Sequence, residues 1–174
     1  MTIVLMQTTL GDILLELSDE KAPVSVENFM HYVGKGHYDG TIFHRVIENF
    51  MIQGGGFTAD MKQKPTDATI KNEWKNGLKN TRGTISMARV GGNADSATCQ
   101  FFINVVDNGS LDRAQSDGAA YAVFGRVISG MDTVNKIKAV RTGDKRGMSD
   151  VPVETVTISK VRKATDEEAA AAKR

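Results

Sequence analysis

Apolar and polar side chains alternate along several short stretches of this chain, and that period of two marks β-strands. Ile3 to Thr8 and Asp12 to Leu17 are two such runs, joined near Leu10-Gly11, which predicts a first hairpin. The period then changes. After a polar break at Ser18 to Lys21, Pro23 suits the first turn of a helix, where its missing N–H costs nothing. Val26, Phe29, Met30 and Val33 recur at helical spacing, and Gly34 and Gly36 end the element. Its single apolar stripe suits a helix that caps a sheet or barrel.

A central hairpin is expected over Ile42 to Gly54. From Phe57 to Arg82 the chain is polar and reads as a long surface loop anchored by Trp74. Thr84 to Ala88 and Gln100 to Val105 are strands on either side of a loop at Gly91 to Ser96. Asp107 to Ala119 is loop again, followed by a strand over Ala122 to Ile128. Asp132 to Val140 reads as a second helix, with Val134 and Ile137 inward and Asp132, Lys136 and Lys138 placed to suit its dipole. Arg141 to Asp150 is expected to be a polar loop, Val153 to Val161 the closing strand, and 164–174 a tail, either a frayed helix or disordered. About eight strands and two helices in one domain, 1–163, favour a mainly β fold, an antiparallel barrel, because closure removes exposed edges.

Composition narrows this little. The chain has 174 residues, 40% hydrophobic and 25% charged, and its 17 glycines fit a turn-rich β fold. A formal net charge of +1 gives no reason to expect nucleic acid as a partner. The start, Met1 to Gln7, lacks the pattern of a signal peptide, and no run is long enough to span a membrane, so the cytoplasm is the expected compartment. Cys99 is the only cysteine and is expected to be a small buried thiol rather than a nucleophile. His31, His37 and His44 have no metal-ligand spacing, and no metal or cofactor is expected. Gly54-Gly55-Gly56 lacks the residues of a phosphate loop and suits close backbone packing or a bulge.

The chemistry gathers at the central hairpin, Phe43 to Phe57. By alternation Phe43, Arg45 and Ile47 share one face and His44 and Val46 the other, which makes His44 a hydrogen-bonded core residue rather than a base. A three-residue loop, Glu48-Asn49-Phe50, would set Arg45 opposite Gln53 and Ile47 opposite Met51; a two-residue loop would separate Arg45 from Gln53. Phe101 and Phe102 should divide between core and surface groove.

Phe43-His44-Arg45-Val46-Ile47, Phe50-Met51-Ile52-Gln53-Gly54-Gly55, Ser86-Met87-Ala88, Gln100-Phe101-Phe102-Ile103 and Val123-Phe124-Gly125 resemble, in order, the cyclophilin family of peptidyl-prolyl cis-trans isomerases, and most the short bacterial members. The resemblance runs from about Ile3 to Val161. It implies an eight-stranded antiparallel barrel closed by two helices, with a groove on its outer wall, and Arg45 beside Gln53. It implies that Arg45 is the catalytic guanidinium and that Gln53 holds the substrate backbone. Phe50, Met51 and Phe102 would grip the proline ring, with Leu111 completing the wall. Ala88 and Arg89 would offer backbone groups to the residue before proline, and Gln100 a polar contact. The substrates implied are proline-containing peptides and flexible or unfolded segments, met by a monomer; a proline-binding module without catalysis is the alternative. Two positions depart from the family pattern. Ser110 stands where a tryptophan is common, and Tyr121, also counted with the groove, where a histidine is. Loss of the indole predicts weak binding of cyclosporin.

Overall fold

The computed structural model of the chain describes residues 1–172. Eight strands close into an antiparallel barrel: β1 (Thr2–Thr8), β2 (Gly11–Leu17), β3 (Thr41–Ile47), β4 (Met51–Thr58), β5 (Thr84–Met87), β6 (Phe101–Asn104), β7 (Val123–Ser129) and β10 (Thr157–Lys163). Around the wall their order is β1-β10-β3-β4-β6-β5-β7-β2. The expected barrel is therefore present, and every one of these strands has two neighbours, so its backbone groups are paired without an open edge. Helices α1 (Pro23–Gly34) and α2 (Met131–Lys138) pack apolar faces onto the barrel core, through Val26, Phe29 and Tyr32 from one and Val134 and Ile137 from the other. The Phe29 ring lies 5.0 Å from Tyr38, 5.9 Å from Phe101 and 5.4 Å from Phe124, an aromatic cluster that fixes α1 against the wall. Among the described residues no helix is long and apolar enough to cross a membrane.

Two expectations for the last third of the chain are corrected. The polar stretch 141–150 contains strand β8 (Thr142–Lys145), which pairs with β9 (Met148–Pro152). Lys145 faces Met148 across a two-residue turn in which Arg146 and Gly147 both have positive φ, 52° and 79°. That is the type I′ hairpin turn, hidden here because arginine holds the place where Asn or Asp usually announces it. The closing strand begins at Thr157 and not Val153. For the tail, where a frayed helix and disorder were both open, the structure has a helix, α3 (Asp166–Ala172). Thr165 and Glu168 make a reciprocal capping box (Glu168 N to Thr165 Oγ1 3.1 Å; Thr165 N to Glu168 Oε1 2.9 Å), and Arg162 holds Glu168 through two bonds of 2.8 and 2.9 Å. The last two residues of the expected 164–174 tail lie outside the described residues.

The expected loop from Phe57 to Arg82 begins only after Thr58, where β4 ends, and Trp74 is only half-buried and is not its main anchor. Polar side chains tie it down. Glu73 caps α1, accepting from Ser25 N and Oγ at 2.7 Å each and from Val24 N at 3.2 Å. Asn72 donates to Ala120 O at 3.0 Å and Asn76 to Val123 O at 2.9 Å.

The β3–β4 hairpin has the three-residue loop, with Ile47 opposite Met51 and Arg45 opposite Gln53. Upstream, the register shifts between Phe43, which faces Gly54, and Arg45, leaving His44 as one extra residue. This bulge breaks the alternation. Phe43 therefore does not share a face with Arg45; it lies in the core with Val46 and Ile52, its ring 6.0 Å from Phe101. His44 is buried against Phe57, ring centroids 4.5 Å apart, and its Nδ1 has no hydrogen-bond partner among the described residues, so the expected hydrogen-bonded histidine is not what the bulge holds. Burial, with a smaller contribution from the Arg45 charge, pushes His44 down from 6.5 to about 4. His37, also buried, shifts the same way, through burial and then Lys64.

Unfolding frees His44 to ionise at its ordinary pKa, so protons favour the unfolded chain between the two values. Its contribution to stability is complete above pH 6.5 and is lost as pH falls toward about 4. The difference is on the order of 3 kcal/mol. Urea unfolding of the native chain at pH 7 and pH 4.5 should show that loss, and His44→Gln should flatten it; an unchanged pH slope in the variant would rule out His44 as its source.

Candidate active site

The Glu48–Phe50 loop closes through Phe50 N to Ile47 O at 2.9 Å and folds Phe50 over the end of the hairpin. Beside it, Met51 from β4, Phe102 from β6 and Ala88 just after β5 form a small buried apolar cluster, separate from the main core. Ile47, Phe50, Leu111 and Tyr121 pack around it. Phe101 and Phe102 divide as expected, the first in the barrel core and the second here. The result is a pocket of about 240 Å³ in the outer wall. Arg45, Phe50, Met51, Gln53, Ala88, Arg89, Phe102, Leu111 and Tyr121 all line it. Of the residues proposed from sequence only Gln100 does not; it lines an adjoining hollow of about 130 Å³ that shares Gln53, Ala88 and Arg89.

One row of polar groups borders the pocket. Gln53 faces Phe102 across β4 and β6. Its Nε2 donates to Gln100 Oε1 at 3.0 Å, and its Oε1 accepts a long bond, 3.4 Å, from Arg45 Nη1. Both ends of the Gln53 amide are thereby oriented. Gly56 makes room for this, since a Cβ there would lie 2.5 Å from the Gln100 side chain. Arg45 is exposed, and among the described residues it forms no ion pair. Its fork keeps most of its five donors free over an apolar pocket. A guanidinium, an amide and a ring-sized hydrophobic hollow can hold an extended peptide by its backbone and one apolar side chain.

The support beneath the pocket was missed from sequence. Asn80, Ser86 and Asn104 are buried polar side chains that satisfy one another. Asn80 Oδ1 accepts from Ser86 Oγ at 2.6 Å and Asn104 Nδ2 at 3.0 Å, while Asn80 Nδ2 donates to Asp112 Oδ1 at 2.9 Å and Tyr121 O at 3.2 Å. Asn108 Nδ2 donates to Asn104 Oδ1 and to Phe50 O, each at 2.8 Å. The network thus grips the hairpin tip and the 3₁₀ turn Gly109–Asp112 that carries Leu111. Tyr121 N closes the wall by donating to Leu111 O at 3.1 Å. The one available signal was the placing of amides among apolar neighbours, as in Phe101–Asn104.

Other candidates do not form sites. Cys99 is buried and its thiol is pushed up by that burial, the reverse of an activated nucleophile. Larger hollows of about 370 and 770 Å³ lie elsewhere, the first lined by Leu17, Leu78 and Val123 and the second by Trp74 and surface lysines; neither combines an unpaired arginine with an apolar pocket.

Known proteins place this geometry. Residues 3–163 match the family model described as cyclophilin type peptidyl-prolyl cis-trans isomerase/CLD. A peptidyl-prolyl cis-trans isomerase of Streptomyces antibioticus is 56% identical over 164 residues, 93% of this chain and 98% of the relative. Peptidyl-prolyl cis-trans isomerase B of Escherichia coli K12 is 53% identical over 161 residues, 91% of this chain and 98% of the relative. Among solved structures, a Cryptosporidium parvum cyclophilin type isomerase crystallised in the presence of the dipeptide Ala-Pro superposes with a TM-score of 0.77 at 27% identity, covering 94% of this chain and 99% of that one. On barrel, groove and sequence together, the chain belongs to the cyclophilin-type peptidyl-prolyl cis-trans isomerase family.

Proposed function

We propose that the chain catalyses rotation about X-Pro peptide bonds in flexible and unfolded protein segments, with Arg45 as the electrostatic catalyst. The observation that carries this is Arg45 itself, paired with no carboxylate among the described residues, at the rim of a small apolar pocket and one hydrogen bond from Gln53. The names of the relatives, and of the neighbouring structure determined in the presence of the dipeptide Ala-Pro, support the same reading.

The physics asks for little else. A peptide bond resists rotation by about 18–20 kcal/mol because the nitrogen lone pair is delocalised. Uncatalysed prolyl exchange takes roughly tens to hundreds of seconds. At the top of the barrier the amide is twisted and the lone pair sits on the prolyl nitrogen, which becomes a better hydrogen-bond acceptor. A guanidinium aimed there stabilises the twisted form more than either planar form, which is what lowers a barrier. Shortening the exchange from about 100 s to about 10 ms needs roughly four decades, on the order of 5–6 kcal/mol. No bond breaks, so no nucleophile is called for. Phe50, Met51, Phe102 and Leu111 hold the proline ring still while the preceding carbonyl swings. Gln53, Gln100 and the backbone at Ala88 and Arg89 hold the flanking chain. In this reading the enzyme works as a cytoplasmic monomer and tolerates many residues before proline, since most polar contacts go to backbone.

Arg45→Ala should lower kcat/KM for a proline tetrapeptide by about 10²-fold while leaving peptide affinity nearly unchanged. Arg45→Lys should recover little of the loss, because an ammonium cannot serve carbonyl and nitrogen at once. NMR exchange spectroscopy on the peptide, with affinity from calorimetry, separates the two quantities. Equal losses in both would refute the transition-state role, and binding by the native chain with no rate gain would favour a non-catalytic module. Cyclosporin should bind weakly, since exposed Ser110 offers no indole donor. A nanomolar dissociation constant by calorimetry would contradict this.

A further inference from the structure

Arg89 was singled out for its backbone, but its side chain is the more unusual feature. It leaves the groove floor just after Ala88 and turns inward, with only 2% of the side chain exposed. Arginine is almost never buried unless paired. Here the partner is Asp117, itself 6% exposed, from the loop that follows the Leu111 turn. Both guanidinium Nη atoms reach the carboxylate, Nη1 to Oδ2 and Nη2 to Oδ1, the latter at 3.1 Å. Nη2 also donates to Ala119 O at 2.8 Å, and the guanidinium carbon lies 4.7 Å from the centroid of the Tyr121 ring. Asp117 in turn accepts from Ala119 N at 3.2 Å. The Arg89 bonds hold the Asp117 carboxyl below the usual carboxylate range.

Apart from Arg89, the loop is tied down at its end, where Asn72 donates to Ala120 O at 3.0 Å. Arg113, Ala114, Ser116 and Gly118 are exposed, and only the small Ala119 and Ala120 are buried. Its internal bonds, Gln115 N to Ala119 O at 3.0 Å and Gly118 N to Gln115 O at 2.9 Å, shape the turn without attaching it. Tyr121, at its end, meets Phe102 edge-on at 5.8 Å and forms one wall of the pocket. A buried ion pair is costly and often no more stable than apolar packing of the same shape, so what it supplies is geometry.

We propose that Arg89 and Asp117 are a positioning pair. Together they clamp the 113–120 loop and set the Tyr121 ring against Phe102, and so determine how tightly the groove holds its peptide. The inference rests on the isomerase reading, but the pair acts through Tyr121 and not through the reacting bond. It therefore acts on binding, where Arg45 acts on turnover.

The test uses the full chain with Asp117→Asn, which keeps the shape but replaces one of the two acceptors facing Arg89 with a donor, and with Arg89→Lys. Asp117→Asn and Arg89→Lys should raise KM for a proline tetrapeptide about tenfold while kcat stays within about a factor of two. The nuclear Overhauser contact between the Tyr121 and Phe102 rings should weaken in step. Tyr121→Ala combined with Asp117→Asn should raise KM no more than Tyr121→Ala alone, since both remove the same wall. Lower thermal stability with unchanged KM and intact ring contact would overturn the proposal and leave the pair merely structural; additive effects with Tyr121→Ala would also overturn it. If the native chain shows no rate enhancement, the isomerase reading fails, and the dissociation constant of the same peptide in the same variants decides the fate of the clamp.

Discussion

Slipping β4 by one residue against β3 would turn every side chain of β4 to the opposite face of the wall. Gln53 and Met51 would then point into the barrel and Ile52 out of it. The Glu48–Phe50 loop prevents this by setting Ile47 opposite Met51 and Arg45 opposite Gln53. From that register the groove extends across the next strands, because β4 pairs Gln53 with Phe102 and β6 pairs Phe102 with Ser86 on β5. The bulge at His44 lets one strand serve two masters. Phe43 fills the core while Arg45, two positions on, faces the groove, and the cost is a buried imidazole nitrogen without a partner.

Much of this was legible in the sequence because it follows from local period. Alternation found the barrel strands, a 3.6 period found α1 and α2, and the apolar–polar pattern around Glu48-Asn49 marked the hairpin. What failed did so where local pattern is silent or interrupted. A bulge moved Phe43 to the other face, and an Arg-Gly turn concealed β8 and β9. Trp74 drew attention as the large residue of its loop, while Asn72, Glu73 and Asn76 form the attachments. The capping box at Thr165 and Glu168 could have been read directly from its spacing.

The groove shows the same division. Its lining was visible because arginine and glutamine among large apolar residues are conspicuous, and family resemblance named the rest. Its supports were not visible. Asn80 meets Asp112 across 32 positions, Asn108 meets Phe50 across 58, and Arg89 meets Asp117 across 28. Hydrogen bonds over such separations leave no period in the sequence. They are also the contacts that fix where Phe50, Leu111 and Tyr121 stand.

The asparagines beneath the pocket have a sense of direction. Asn108 donates to Asn104, Asn104 to Asn80, and Asn80 to the carboxylate of Asp112, so the three amides run head to tail toward a negative charge. Their dipoles align and each bond polarises the next. Rotating Asn104 or Asn80 by half a turn would set oxygen against oxygen on one side and nitrogen against nitrogen on the other, and rotating Asn108 would set its oxygen against those of Asn104 and Phe50. The orientations are therefore correlated, and the floor of the groove behaves as one unit that is either correctly polarised throughout or broken.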